Sequence, residues 1–250
     1  MGGYISEHAD YHHGEKSLTD TIIKMAQRFV GSNGINLLRP DGQFGTRQMG
    51  GKDASSPRYT YTCLERITHS IYSSYDKTLL DYLEVDGNIV EPRYYLPCIP
   101  MILVNGVGGI GTGTSSDIPC YSVREIIQYL QYRLQLSTTD NHPIRPFQAI
   151  PFYEGFNGTI HPIDSNHSHF LVKGVYTRVA NQPDTICVSE LPVGMWTDTF
   201  EKHLAKLESE EPKVFKCPPK KNNTDCIINV TITFVTGLLD RLEADRKSTR

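Results

Sequence analysis

The sequence predicts an α+β chain in two parts, a helical domain ending in a strand hairpin over residues 1–96 and a mixed α and β domain over 97–250. Three observations predict it. Apolar residues recur at helical spacing from Leu18 to Val30, and a second helix is expected from Leu64 to Tyr75. The turn Asp86-Gly87-Asn88 then separates two short extended pieces. Beyond Pro97, strand-like and helix-like segments alternate. Two helices followed by a hairpin is the order of a winged helix.

The first helix carries Leu18, Ile22, Ile23, Ala26, Phe29 and Val30 on one face, and Gly31 follows where a helix C-terminus favours a left-handed residue. Ahead of it stand Tyr11-His12-His13-Gly14-Glu15, which set two imidazoles at the positive end of the helix. Residues 31–56 are crowded with Gly, Pro, Asn and Asp and read as turns between short strands. Arg58-Tyr59-Thr60-Tyr61-Thr62 reads as a β-strand whose period of two sets Tyr59 and Tyr61 on one face and Arg58 and Thr60 on the other. In the second part, Ile99 to Val104 reads as a buried strand, the stretch to Pro119 as a glycine-rich loop, and Val123 to about Leu136 as a helix. Thr185 to Leu191 and Asp225 to Val235 alternate as strands do, while Asp198 to Leu207 and Gly237 to Arg246 read as helices. The last helix stops among charged residues without a capping signal, and Met1-Gly2-Gly3 looks like an artificial start. A fragment of a longer protein is therefore expected.

At 250 residues and 38% hydrophobic content the chain can bury a real core, and no apolar run reaches the ~20 residues of a membrane span. No membrane partner is expected. The six cysteines, at 63, 98, 120, 187, 217 and 226, never form the close pairs of zinc or dithiol sites and read as reduced intracellular thiols. The Asn-x-Ser/Thr matches at Asn157, Asn166, Asn222 and Asn229 then carry no weight. A net charge of −3 argues against coating of nucleic acid by bulk electrostatics, and the five basic against three acidic side chains of residues 39–66 decide nothing.

Tyr59 is the residue with the most chemistry to offer, although a tyrosine in a strand is most often only that. A phenol, with its ordinary pKa near ~10, needs a neighbouring cation or base to act as a nucleophile at neutral pH, and Arg58 is adjacent. In a strand Arg58 would have to curl round to share a phosphate with it, or act through the backbone. His12 and His13 lack a third ligand for zinc, so a phosphate contact at the helix terminus is the better reading than a metal. The loop NGVGGIGTGTSS formally contains G-x-G-x-x-G. The helix that should start on its last glycine is displaced to beyond Pro119, and no acidic residue follows at the required distance, so dinucleotide binding is rejected. The Walker loop fails as well, since Thr112 stands where its lysine should be. What remains is a glycine loop carrying one large apolar side chain, Ile110, which either packs inward or wedges between base pairs and bends a duplex.

Taken in order, YHHGEKSL, FVGSNGINLL, DGQFGTRQMGGKDASSPRY, EPRYYLPCIPMILVNGVGGIGTG and SELPVGMWTDTF resemble the breakage-reunion region of eukaryotic-type topoisomerase II, a type IIA DNA topoisomerase, over nearly the whole chain. The resemblance implies a winged-helix domain followed by part of a mixed α/β tower domain. It makes Tyr59 the nucleophile of a 5′-phosphotyrosyl link, with Arg58 stabilising the transition state. His12, His13, Arg47 and Lys52 would contact the DNA backbone and Ile110 would be the intercalating wedge. It further implies double-stranded DNA as partner, a homodimer, and Mg²⁺ and ATP bound by domains of the parent enzyme, since no such motif occurs in this sequence. The chain alone would then bind DNA yet cleave poorly. Thr60 and Tyr61 depart from the family's usual apolar and aromatic pair, and the acidic residue and tryptophan usual around Ile110 are missing. That divergence points to a large DNA virus, with activity in the host cytoplasm, whereas a cellular enzyme would act in the nucleus at sites of DNA replication. The rival reading is an architectural module that only bends DNA. A nucleotide-dependent oxidoreductase would rest on the glycine loop alone.

Overall fold

The computed structural model describes residues 2–134, 147, 149–210 and 213–248, and these fold as an α+β chain. Two compact units are formed. One comprises Met1–Arg28, Ser32–Gly45 and Ala54–Tyr153, and the other Phe29–Gly31, Thr46–Asp53 and Glu154–Arg250. The first unit runs to Tyr153 along the chain, and two short inserts at 29–31 and 46–53 fold with the second.

In the first unit a short helix, α1 (Gly2–His8), precedes α2 (Glu15–Ala26). Leu18 and Ala26 of α2 are buried, and Ile22 and Ile23 pack against Ala26, Leu38 and Phe44. The helical spacing of the sequence runs on to Val30, but the helix does not. Gln27 turns to extended backbone, and Asn33 Nδ2 donates to the Lys24 and Gln27 carbonyls at 2.6 and 3.0 Å, which satisfies the exposed helix end. Phe29 instead meets Trp196 edge-on within the second unit, at 5.9 Å between ring centroids.

Residues 58–62 do not form the expected strand. Pro57–Tyr59 is a 3₁₀ turn closed by Tyr59 N donating to Ser56 O at 2.9 Å, and pairing resumes only as isolated bridges of Tyr61 with Asp41 and Leu64 with Leu38. Pro57 at the first turn position fixes the backbone for turning, and its missing N–H cannot serve a ladder. The helix expected over 64–75 is divided into α3 (Arg66–Ile71), with Thr68 and Ile71 buried, and a 3₁₀ turn at Ser74–Thr78 capped by Ser73. The hairpin around Asp86 and Gly87 is present as β1 (Tyr82–Val85) and β2 (Asn88–Pro92), both turn residues at positive φ.

Two further segments differ from expectation. Met101–Val104 is a helical turn, α4, and not a strand, because Pro100 deprives the expected strand of a ladder donor; Val104 is fully buried. The glycine-rich stretch is an ordered hairpin, β3 (Val107–Gly111) and β4 (Thr114–Ile118), turned by Thr112 and Gly113, the latter at φ +76°. Helix α5 follows at Val123–Arg133, and the part of that expected helix beyond 134 lies outside the described residues.

The second unit has a hairpin of β5 (Thr159–Pro162) and β6 (Phe170–Lys173) and an antiparallel four-stranded sheet. Its strands are β7 (Val175–Arg178), β8 (Thr185–Glu190), β9 (Lys220–Lys221) and β10 (Val230–Thr233), in spatial order β7-β8-β10-β9. Helices α6 (Thr197–Ser209) and α7 (Leu238–Ser248) complete it. The alternation legible in the sequence decides which face is buried: Ile186 and Val188 of β8 and Val230 and Ile232 of β10 point inward. They join Leu191, Leu204, Phe215, Ile228, Phe234 and Leu239 in the core. The next inward position of β8 is Glu190, a carboxylate in an apolar register.

Candidate active site

Tyr59 ends the Pro57–Tyr59 turn with 68% of its surface exposed. The turn removes the difficulty a strand would pose. Arg58 Cζ lies 5.6 Å from the centroid of the Tyr59 ring, so cation and phenol stand together on an exposed surface. Gly42 fits close beneath: at φ +115°, a Cβ there would stand 3.2 Å from the Tyr59 carbonyl oxygen. Asp41, whose backbone pairs with Tyr61, is itself held by Arg39 at 2.5 Å. That hydrogen bond and charge lower the Asp41 carboxyl and raise the Arg39 guanidinium from their ordinary values.

His12 and His13 are exposed between α1 and α2, with their ring centroids 4.9 Å apart. His12 Nδ1 lies 2.8 Å from the Asp10 carbonyl, and Tyr11 meets His13 edge-on. Gly14, at φ +91°, precedes α2 and supplies no side chain to cap it. An exposed helix N-terminus with two imidazoles before it has the donors a phosphate needs.

Ile110 sits on β3 opposite Ser115 and is 94% exposed, so the inward-packing alternative for this side chain does not hold. The hairpin's base is tied down by Asn105, whose side chain accepts from Ile35 N at 2.8 Å and donates to Ile35 O at 2.9 Å. Gly106 makes the entry possible, since a Cβ there would lie 2.5 Å from the Ile118 carbonyl oxygen.

Arg47 requires a correction. It is buried, not presented to a backbone phosphate: its guanidinium donates to Glu190 Oε1 and, at 3.0 Å, to the Leu191 carbonyl. Glu190 is buried too, and its oxygens also accept Leu191 N at 2.9 Å and Asn157 N at 3.0 Å. The phosphate contact is what the resemblance implies for Arg47, and the residue that holds its guanidinium instead, Glu190, lies 143 residues away in the inward register of β8. Lys52, in the same stretch, is exposed. Asn105, Glu190 and Trp196 lie within the segments that carry the resemblance, but no role is assigned to them from sequence.

Among the described residues no three His, Cys, Asp or Glu side chains gather into a group able to hold a metal ion. One constellation imitates a catalytic triad. Asp164 accepts from Ser168 Oγ and Ser168 N, which draws its carboxyl well below the ordinary range, and His169 Nδ1 faces both Asp164 and Ser168. Both partners compete for one ring nitrogen, so no proton can pass through the imidazole from one to the other. The three residues fasten the loop between β5 and β6.

An exposed tyrosine beside an arginine, a histidine pair before a helix and an apolar hairpin tip are thus the chemical features of the first unit, and the comparisons with known proteins show the family that carries them. The family model for the A subunit of DNA gyrase/topoisomerase IV matches residues 1–247, and the chain belongs to that family. Within it, the chain is similar to the eukaryotic enzymes. It is 44% identical to a DNA topoisomerase 2 of Pisum sativum over 234 residues, 92% of this chain and 15% of that protein. It is 41% identical to a mitochondrial DNA topoisomerase 2 of Dictyostelium discoideum over 244 residues, 97% of this chain and 18% of that one. A crystal structure of the DNA-binding, cleavage and re-ligation domain of Plasmodium falciparum topoisomerase II superposes with a TM-score of 0.88 at 41% identity, covering 97% of this chain and 32% of that one. The chain thus spans less than a fifth of the length of these two curated relatives.

Proposed function

We propose that the chain is the DNA cleavage and religation core of an ATP-dependent type II DNA topoisomerase, with Tyr59 as nucleophile. The observation that carries this is the Pro57–Tyr59 turn, which holds an exposed phenol with a guanidinium against its ring. Tyr59 Oη attacks a backbone phosphorus, forming the P–O(Tyr) bond and breaking the P–O3′ bond. The phenolic proton passes to solvent, the departing 3′ oxygen takes one up, and a 5′-phosphotyrosyl link remains. Reversal by the 3′-hydroxyl reseals the strand. Arg58 would stabilise the extra negative charge of the five-coordinate phosphorus, as preorganised cations do for phosphoryl groups.

The same reading assigns His12, His13 and Lys52 to backbone phosphates of double-stranded DNA and Ile110 to a wedge between base pairs. In family terms the first part of the chain is a winged-helix domain and the later part belongs to the tower. Two copies, each cutting one strand, would open a gate for a second duplex, giving relaxation and decatenation. Mg²⁺ and ATP would be held by other parts of the longer enzyme. The site of action would be wherever DNA is replicated: the nucleus or a mitochondrion in a cell, the host cytoplasm for a virus.

The test is a denaturing gel of the full-length enzyme with labelled DNA and Mg²⁺, detergent-trapped, wild type beside Tyr59→Phe. The expected result is 5′-linked DNA on wild type alone. Adducts on both proteins would move the nucleophile elsewhere, and adducts on neither would favour an architectural DNA-bending module.

A further inference from the structure

The segment Thr46–Asp53 is an eight-residue insert that folds with the second unit and exposes Lys52. It is closed on itself. Asp53 accepts from Thr46 N at 2.8 Å and from Thr46 Oγ1 at 2.6 Å, and Gly51 N donates to Thr46 O at 2.8 Å. Three anchors then fix this closed loop to the junction of β8 and α6. Arg47 forms its buried pair with Glu190. Gln48 O accepts the Asp198 amide at 3.0 Å, at the start of α6. Gly50, at φ +63°, lies so near the Trp196 indole that a Cβ would stand 2.3 Å from Cε2.

A buried ion pair adds little net stability, because desolvation consumes the Coulombic gain, but it admits few geometries. Glu190 has its carboxylate filled by the Arg47 guanidinium and two backbone amides, so the guanidinium has one place to go. We propose that Arg47, Glu190 and Trp196 are positioning residues for Lys52: they hold the 46–53 loop in the one conformation that presents the ammonium group to a DNA phosphate. The proposal rests on the reading of Lys52 as a phosphate contact. Without the anchors Lys52 would still be exposed, but on a loop that must be ordered at the moment of binding.

The salt dependence of DNA affinity separates positioning from mere stability. Each phosphate neutralised by the protein contributes about 0.9 to the slope of log K against log[salt]. The experiment measures binding of the 250-residue chain to a 30-base-pair duplex by fluorescence anisotropy across a salt series, with folding of each variant checked by circular dichroism. Lys52→Ala is expected to lower the slope by about 0.9, Glu190→Gln to lower it by about the same, and the double variant to lower it no further. Direction is informative, because removing a negative charge would otherwise strengthen attraction to DNA. Gly50→Ala supplies a variant of unchanged charge that leaves the ion pair in place, and it should lower the slope in the same way. A slope unchanged in a folded Glu190→Gln or Gly50→Ala protein, or losses that add in the double variant, would overturn the proposal. A wild-type slope indifferent to Lys52→Ala would instead overturn the reading of Lys52 on which it rests.

Discussion

The two compact units place their apolar residues differently. In the second, the sheet and its helices enclose a continuous cluster from Ile186 to Leu239. In the first, the cluster around α2 is made of Ala26, Leu38 and Phe44, while Tyr75, Leu79, Ile89 and Ile110 stand largely in solvent. The features proposed to handle DNA, apart from Lys52, belong to that thinly cored unit. Their shape comes from backbone devices: a proline turn at Tyr59, a hairpin locked by Asn105 at Ile110, a glycine ahead of α2. Substitutions at these tips should therefore alter chemistry and leave stability alone, and substitutions in the sheet core should do the reverse.

Arg58→Ala is expected to show the largest effect. Loss of one preorganised charge at the reacting phosphate should slow covalent adduct formation by the full-length enzyme roughly 100- to 1,000-fold, followed on denaturing gels after rapid mixing. The melting midpoint should hardly move, because Arg58 is exposed and rests on the Tyr59 ring. A variant that melts early but cleaves at the normal rate would invert the comparison. Ile232→Ala is the complementary substitution. Ile232 is 4% exposed in the centre of the sheet, and its truncation should cost about 2–5 kcal/mol in a denaturant titration, with adduct yield per folded molecule unchanged.

The same contrast explains what was legible in the sequence. Strands β8 and β10 and helix α6 were readable because a dense core imposes strict alternation and helical spacing on the residues that face it. The hairpin at Asp86 and Gly87 was readable from its turn chemistry. Failures concentrate where the backbone is ruled by local geometry. Pro57 made a turn of what β-prone residues announced as a strand, Pro100 did so again before Met101, and glycine-rich β3 hid a hairpin behind loop composition. At the site, Tyr59 and Arg58 were visible as neighbours in sequence, while their contact needed the turn. The burial of Arg47 is not legible in the sequence, because its partner, Glu190, is distant along the chain and the resemblance implies only a backbone contact for it.

Alkaline titration gives the subtlest way to separate the units. Burial, reinforced by the negative potential of Cys120, Asp117 and Tyr121, pushes the Tyr153 phenol up to about 12. Burial also raises Tyr72, Tyr95 and Tyr121, and all four tyrosines lie in the first unit. An unfolded tyrosine ionises near ~10. Below that pH both states keep the proton and the folded state has its full stability. Between about 10 and 12 the unfolded chain releases a proton that folded Tyr153 retains, so stability falls as pH rises through this window. Tyr153→Phe removes one of the four groups. The drop in melting midpoint between pH 9.5 and 11.5 should then shrink by roughly 2–4 °C, with the other three tyrosines sustaining the remainder. Calorimetry of both proteins over that range reads it. Identical profiles would mean that Tyr153 ionises as freely in the folded chain as in the unfolded one, and that the thin core of the first unit does not keep solvent from it.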